Sequence, residues 1–274
     1  MNEAAASYLE LSYWRVAIAA ALVLLNAALS VVLRLGIERR LLIAATRTIT
    51  QLLLVGLILR WVFALDQWYA VGGLTLIMVL AASRAAIGNV SRRYPGVWLD
   101  GLLAMGLSSW SVTALALIVI VRPEPWFHPQ YAIPLLGMML GNSLNGVSLG
   151  LERLGEELNG KRSRIDGYLA LGASRWEAGA EPVRTAIRTG LVPITNSMMV
   201  VGIVSLPGMM TGQLLAGAAP VEAVKYQVMV MFLIATATAI GTLTVVLLAF
   251  NRLFSRDHQF LRHRLLRNSQ GFAR

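Results

Sequence analysis

The chain has 274 residues, of which 57% are hydrophobic and only 14% charged, with a formal net charge of +10. Its mean hydropathy is +0.64; since a soluble domain carries about 25% charged residues, this composition excludes water as the solvent of the fold. Cysteine is absent, which removes disulfides, thiolate metal ligands and thiol catalysis.

A bilayer core about 30 Å thick takes about 20 mostly apolar residues per helix. Seven stretches approach that length: 14–35, 41–62, 68–88, 98–121, 131–150, 190–206 and 226–250. The expected fold class is all-α, a polytopic membrane protein of about seven transmembrane helices forming one membrane domain over 1–274. The first stretch is preceded by Glu3 and Glu10, has no basic leader and is too long for a signal core, so it is expected to stay in the protein.

Basic residues fall mainly in alternate loops. Nineteen collect on one side: Arg34, Arg39, Arg40, Arg84, Arg92, Arg93, Arg153, Lys161, Arg162, Arg164, Arg175, Arg184 and Arg188, then Arg252, Arg256, Arg262, Arg264, Arg267 and Arg274 in a basic tail over 252–274. The other side has Arg15, Arg60, Arg122 and Lys225. The positive-inside rule therefore puts the N-terminus outside and the C-terminus in the cytoplasm. The same distribution makes the net charge a matter of topology, with no nucleic-acid partner expected. With Phe254, Phe260 and Phe272, the tail reads as a topology anchor, the alternative being an anionic-lipid or nucleic-acid contact.

In the second stretch, Arg47 and Gln51 are one helical turn apart and either anchor the helix or line a polar path. Arg84 is the other embedded charge. Asp66, Gln67 and the RPEPWFHPQ run at 122–130 are turns, and His128 within it has no partner spaced for a metal. His258 and His263 lack helical ligand spacing as well. All fourteen acidic residues fall in or beside loops. No mid-depth carboxylate is available as a proton or sodium relay, so transport energy is expected to come from elsewhere.

The fifth stretch combines Gly137, Gly141, Gly146 and Gly150 with Asn142, Ser143, Asn145 and Ser148. Small residues at this spacing let helices approach and amides bridge them; with Met138 and Met139 alongside, Asn142 and Asn145 also suit a cation path. After 201, Pro207 and Gly208 break a helix, making Met209, Met210, Thr211 and Gln213 either a gate or an external hairpin. Segment 151–189 is too polar to span and is expected to form short surface helices, with an apolar knob at Leu169, Ala170, Leu171, Gly172, Ala173 and Trp176 suited to another protein's groove or to the membrane domain itself. GEELNGKR at 155–162 approaches a phosphate loop, but Arg162 replaces its hydroxyl and its glutamates face where phosphate would sit. No ATP site is expected in this chain.

TRTITQLLLVG, GMMLGNSLNGVSLGLERL, LALGASRWEA and SLPGMMTGQLLAGAAPVEAVKYQ closely resemble the FetB-type iron-export permeases of ABC transporters, in order and spacing from about residue 40 to 250. The resemblance implies a non-catalytic subunit of a bacterial inner membrane, linked to metal-ion homeostasis, that pairs as a homodimer with a FetA-like ATPase. ATP and magnesium would sit on that ATPase, with no cofactor bound here. Plant relatives are linked to aluminium tolerance. LALGAS is also similar to the coupling loop of other ABC permeases, which implies an ATPase contact at Leu169, Ala170, Leu171, Gly172, Ala173, Ser174, Arg175, Trp176 and Glu177. Pro182 and Pro193 do not keep the importer spacing, so the correspondence stops at 177. The expected translocation path is Arg47, Gln51, Asn142, Asn145, Met209, Met210 and Gln213; a metal ligand set is not defined. An ATP-independent channel or carrier is the rival reading, and a lipid-modifying intramembrane enzyme a remoter one, lacking paired carboxylates or a nucleophile system.

Overall fold

The computed structural model describes residues 12–65, 67–255 and 257–267; Glu3, Glu10, Asp66, Arg256, Phe272 and Arg274 lie outside them. The described chain is a helical bundle: α1 (Tyr13–Val32), α2 (Glu38–Leu65), α3 (Trp68–Gly88), α4 (Val97–Leu115, prolonged by a wider turn over Ala116–Val121), α5 (Pro129–Gly160), α6 (Arg162–Ala170), α7 (Arg175–Val200), α8 (Gly208–Leu215) and α9 (Pro220–Leu253). A two-residue antiparallel ladder joins β1 (Arg92–Arg93) to β2 (Leu266–Arg267).

Among the described residues, six helices are long and apolar enough to cross a membrane: α1, α2, α3, α4, α5 and α9. The stretch expected at 190–206 is the exception. Its helix starts at Arg175 and ends at Val200, and residues 201–206 leave it for a turn closed by a Val201–Ser205 bridge. Segment 151–189 also departs from the expected run of short surface helices. α5 continues unbroken to Gly160, α6 is the one short helix, and α7 carries the rest. Because 155–160 is helical, its N–H groups are spent within the helix and cannot cradle a phosphate.

The core is a close-packed group of α3, α4, α5, α7 and α9, while α1 rests chiefly on α2 at the periphery. Packing of α5 against α7 and α9 depends on absent side chains. A Cβ on Gly146 would sit 2.6 Å from Thr242 Oγ1, and one on Gly190 would sit 2.7 Å from the Gly146 carbonyl. A Cβ on Gly150 would be tight but less so, at 3.1 Å from Thr242 Cγ2 and 3.2 Å from Val246 Cγ2, whereas Gly141 faces open space. The glycines of α5 therefore divide between a helix contact and an uncovered face. Apolar side chains fill two clusters, one toward the α6 end around Leu154, Leu158 and Phe254, the other toward the α8 end around Leu135, Met139 and Ile234.

At the α6 end one buried charge is fully partnered. Asp100, 1% exposed in the first turn of α4, accepts from Arg252 Nε at 2.6 Å and from the Tyr94 hydroxyl at 3.0 Å. Burial first, then the neighbouring Asp100 charge, push the Tyr94 phenol well above its ordinary value, so it stays a donor. Residues 254–255 and 257–267 fold back as a strap. Phe254 bridges Phe260, Leu261 N–H donates to Leu253 O at 2.8 Å, and Leu266–Arg267 reach β1.

Candidate functional site

Two regions concentrate the expected functional residues, one at each end of the bundle. At the α6 end, α6 and α7 are joined by a turn whose pivot is Gly172, at φ 87°. That left-handed conformation is readily reached by glycine and strained for other residues. Ser174 caps α7: its Oγ accepts from Glu177 N–H at 3.3 Å, and the Glu177 carboxylate accepts in return from Ser174 N–H at 2.7 Å. The Ser174 hydroxyl also donates to that carboxylate at 2.7 Å, and this bond first, then the one from Ser174 N–H, holds the Glu177 carboxyl below the usual range. Leu171 at the apex is 86% exposed, and Trp176 stands half out with its edge against Phe250 at 5.5 Å. Leu169 packs onto the core, while Ala170 is exposed and Ala173 half-buried.

The strap supports this turn from below. Arg175 N–H donates to His258 Nδ1 at 3.0 Å, and Phe250, Phe254 and Phe260 stack in series beneath Trp176. Asp166, Gly172, Ala173, Asp257 and His258 then border a notch of about 450 Å³ between turn and strap. Lys161 ties α5 to α7, bonding Glu157 at 2.6 Å and Glu181 at 2.9 Å. Those two bonds, Glu157's the larger, raise the Lys161 ammonium, and Lys161 then Arg164 lower the Glu181 carboxyl.

At the α8 end, α5, α7 and α9 part to leave a cavity of about 430 Å³ under the 201–209 turn. Met138, Asn142, Ser197, Met209, Gln227 and Met231 are among its lining, and no lining residue is charged. A neighbouring cavity of about 330 Å³ lies across Gln227 and Met231 and includes Met198 and Met210. Of the expected path residues, Asn142 and Met209 therefore meet in one cavity and Met210 borders the next. Gln213 is half-buried on α8 with a buried, unpartnered Oε1. Asn145 is exposed one turn from Asn142 on the face that Gly141 leaves open. Arg47 and Gln51 lie apart, on an exposed side of α2.

Gln227, Ser197 and Met231 were not apparent from sequence. Placing a helix start at 226 leaves Gln227 at a water-facing end; α9 begins at Pro220, which carries Gln227 about 10 Å along the helix. It is 6% exposed there, its Oε1 without a donor. The signal available was the amide itself, standing before an apolar run.

The bundle of long apolar helices defines a polytopic all-α membrane protein. Residues 13–254 match the uncharacterised protein family UPF0014, and the chain belongs to that family. It is 41% identical over 227 residues to the UPF0014 membrane protein slr1647 of Synechocystis, covering 83% of this chain and 88% of that one. It is 33% identical to the probable iron export permease protein FetB of Escherichia coli, covering 83% and 86%. It is 31% identical to the protein ALUMINUM SENSITIVE 3 of Arabidopsis thaliana, covering 90% and 89%. No solved structure gives a significant match.

Proposed function

We propose that this chain is the membrane-spanning subunit of an ATP-driven ABC transporter that exports metal ions, iron in the first instance, across a bacterial inner membrane. The observation that carries the reading is the α6–α7 turn: a rigidly capped, strap-supported knob whose apex, Leu171, is 86% exposed at the basic end of the bundle. An apolar side chain held out on a braced helix pair serves to enter a groove on a partner. The partner is a FetA-like ATPase on the cytoplasmic side, carrying ATP and magnesium, and each ATPase takes one knob. The name of the Escherichia coli relative, probable iron export permease protein FetB, and its 33% identity support the substrate.

A homodimer of the permease accompanies two ATPase subunits. Its support is the open face of α5, where Gly141 and the exposed amide of Asn145 would otherwise meet hydrocarbon that cannot hydrogen-bond. Closing the ATPases brings two knobs together and biases the bundle between two accessible states. The test is co-expression with genomic neighbours, purification in mild detergent and an ATPase assay across metals. Co-purification of an ATPase stimulated by one metal is expected. Recovery of the chain alone, with transport persisting after loss of every neighbouring ATPase, would transfer the function to a channel or carrier.

A further inference from the structure

Gln227 is a polar residue that the α8 end of the fold leaves unserved. It is 6% exposed on α9, with Oε1 sealed and without a donor; the amide nitrogen, bonded to nothing among the described residues, is the end that reaches the cavity surface. A buried acceptor left unmet costs about 1–3 kcal/mol, which an apolar residue of similar size would avoid. An amide in this place is accounted for by what its N–H groups can bind. Two further donors border the same space: Asn142 spends one N–H on Met138 O at 2.9 Å and keeps the other, and Ser205 contributes a hydroxyl.

The surroundings of these donors are apolar. Gln227 and Met231, one turn apart on α9, border both the 430 Å³ cavity and the 330 Å³ one, and no lining residue of either is charged. Each volume is in the range of ligand pockets, about 300–1,000 Å³. A cation would meet N–H groups, an anion would find no countercharge, and a sugar-like solute would strand its hydroxyls against thioether and aliphatic carbon. The lining fits a long apolar body that carries a neutral acceptor oxygen. Methionine is unbranched and adapts to such a body, and Met198, Met210 and Met231 line the second cavity.

Position identifies the source of that body. Val224, Val228 and Phe232, at successive turns of α9, stand exposed along the second cavity, which therefore opens sideways on the face of a membrane-spanning helix. At 1.5 Å per residue, Gln227 stands about 38 Å along α9 from Arg252 at the basic end. The hydrocarbon core is about 30 Å thick and the bilayer with its headgroup regions about 40–45 Å. With Arg252 in one interface, the Gln227 amide reaches the other, at the level of the lipid ester carbonyls.

We propose that the paired cavities bind a membrane glycerolipid from the leaflet at the α8 end, one acyl chain lying against Met198, Met231 and Phe232 and its ester carbonyl accepting from Gln227 Nε2. Nothing in this site depends on the ATPase or on the cargo of the transport reading.

The test is equilibrium binding of radiolabelled dioleoyl phosphatidylethanolamine to the full chain in maltoside micelles, beside the diether analogue, which keeps chains and headgroup and lacks the carbonyls. One saturable ester-lipid site per chain is expected, with the diether about tenfold weaker, the equivalent of one hydrogen bond. Gln227→Leu should weaken the ester lipid by about the same factor, erase the difference between ester and ether, and leave the thermal midpoint no lower, since the unmet acceptor goes with the amide. Val228→Trp, which fills the second cavity from its open side and keeps Gln227, should remove the saturable binding. Equal affinity of the parent for ester and ether lipid, a difference between them that survives in Gln227→Leu, or undiminished binding by Val228→Trp would each overturn the proposal. Uptake that never saturates, as for lipid merely dissolved in the micelle, would overturn it as well.

Discussion

Replacing Arg252 by methionine tests how the α6 end is held together. Asp100 is 1% exposed and keeps the Arg252 guanidinium at 2.6 Å and the Tyr94 hydroxyl at 3.0 Å as partners. Stripping a buried carboxylate of its cation costs about 3–5 kcal/mol. Here the Arg252 side chain is 40% exposed, so water can reach the vacated position and the Tyr94 bond survives; we therefore expect the lower end, about 3 kcal/mol. The apolar triple replacement Tyr94→Phe, Asp100→Leu and Arg252→Met removes charge and both partners together. It should recover the loss to within about 1 kcal/mol of the parent, because the desolvation cost of the charges goes with them. Unfolding equilibria in mixed detergent micelles supply the measurement. An Arg252→Met chain as stable as the parent, or a triple variant no better than the single, would refute the assignment of Asp100 as a charge maintained by its partners.

Tyr94→Phe should flatten the alkaline limb of the stability profile: a phenol held protonated in the fold stabilises fully below about pH 10, its unfolded value, and that contribution is lost as pH rises beyond it. Comparing parent and variant unfolding between pH 8 and 11, values near the reference tyrosine, isolates the effect. Gly190→Val should cost at least about 1–3 kcal/mol by overpacking, since even its Cβ would meet a backbone carbonyl at 2.7 Å that cannot move aside alone; thermal midpoints and yield in detergent report it. Gly172→Trp meets open space but not its preferred backbone conformation, so it should abolish metal-stimulated ATPase activity in the complex while the chain is still inserted and recovered in detergent. Normal transport by a well-expressed Gly172→Trp chain would remove the knob from the coupling mechanism. His258→Ala should lower the same stimulation more mildly, since the capping box of Ser174 and Glu177 remains.

Helices whose faces meet lipid announce themselves as apolar runs, which is why α1 to α5 and α9 were legible. α7 was not, because its deep half carries Thr189, Pro193, Thr195, Asn196 and Ser197 and its N-terminal half is frankly polar. A run starting at 190 could be seen only by borrowing residues 201–206, which turn out to close the cavity. The α6–α7 turn was legible from LALGAS, a local signal, while the capping box of Ser174 and Glu177 came from the structure. Gln227 was obscured by a helix start placed six residues late. The bond from Arg175 to His258 spans 83 positions, and Asp100 to Arg252 spans 152; no local periodicity encodes either pair.

The strap also has a place in time. Residues 254–267 are translated after every element they touch: β1, the α6–α7 turn and the core beneath Trp176. Until they emerge, Arg175 N–H has no His258 to donate to, the Arg92–Arg93 backbone lacks its ladder partner, and the inner edge of Trp176 lacks the full aromatic column. The α6–α7 knob is thus finished last. A nascent chain can insert its helices while that surface is still incomplete.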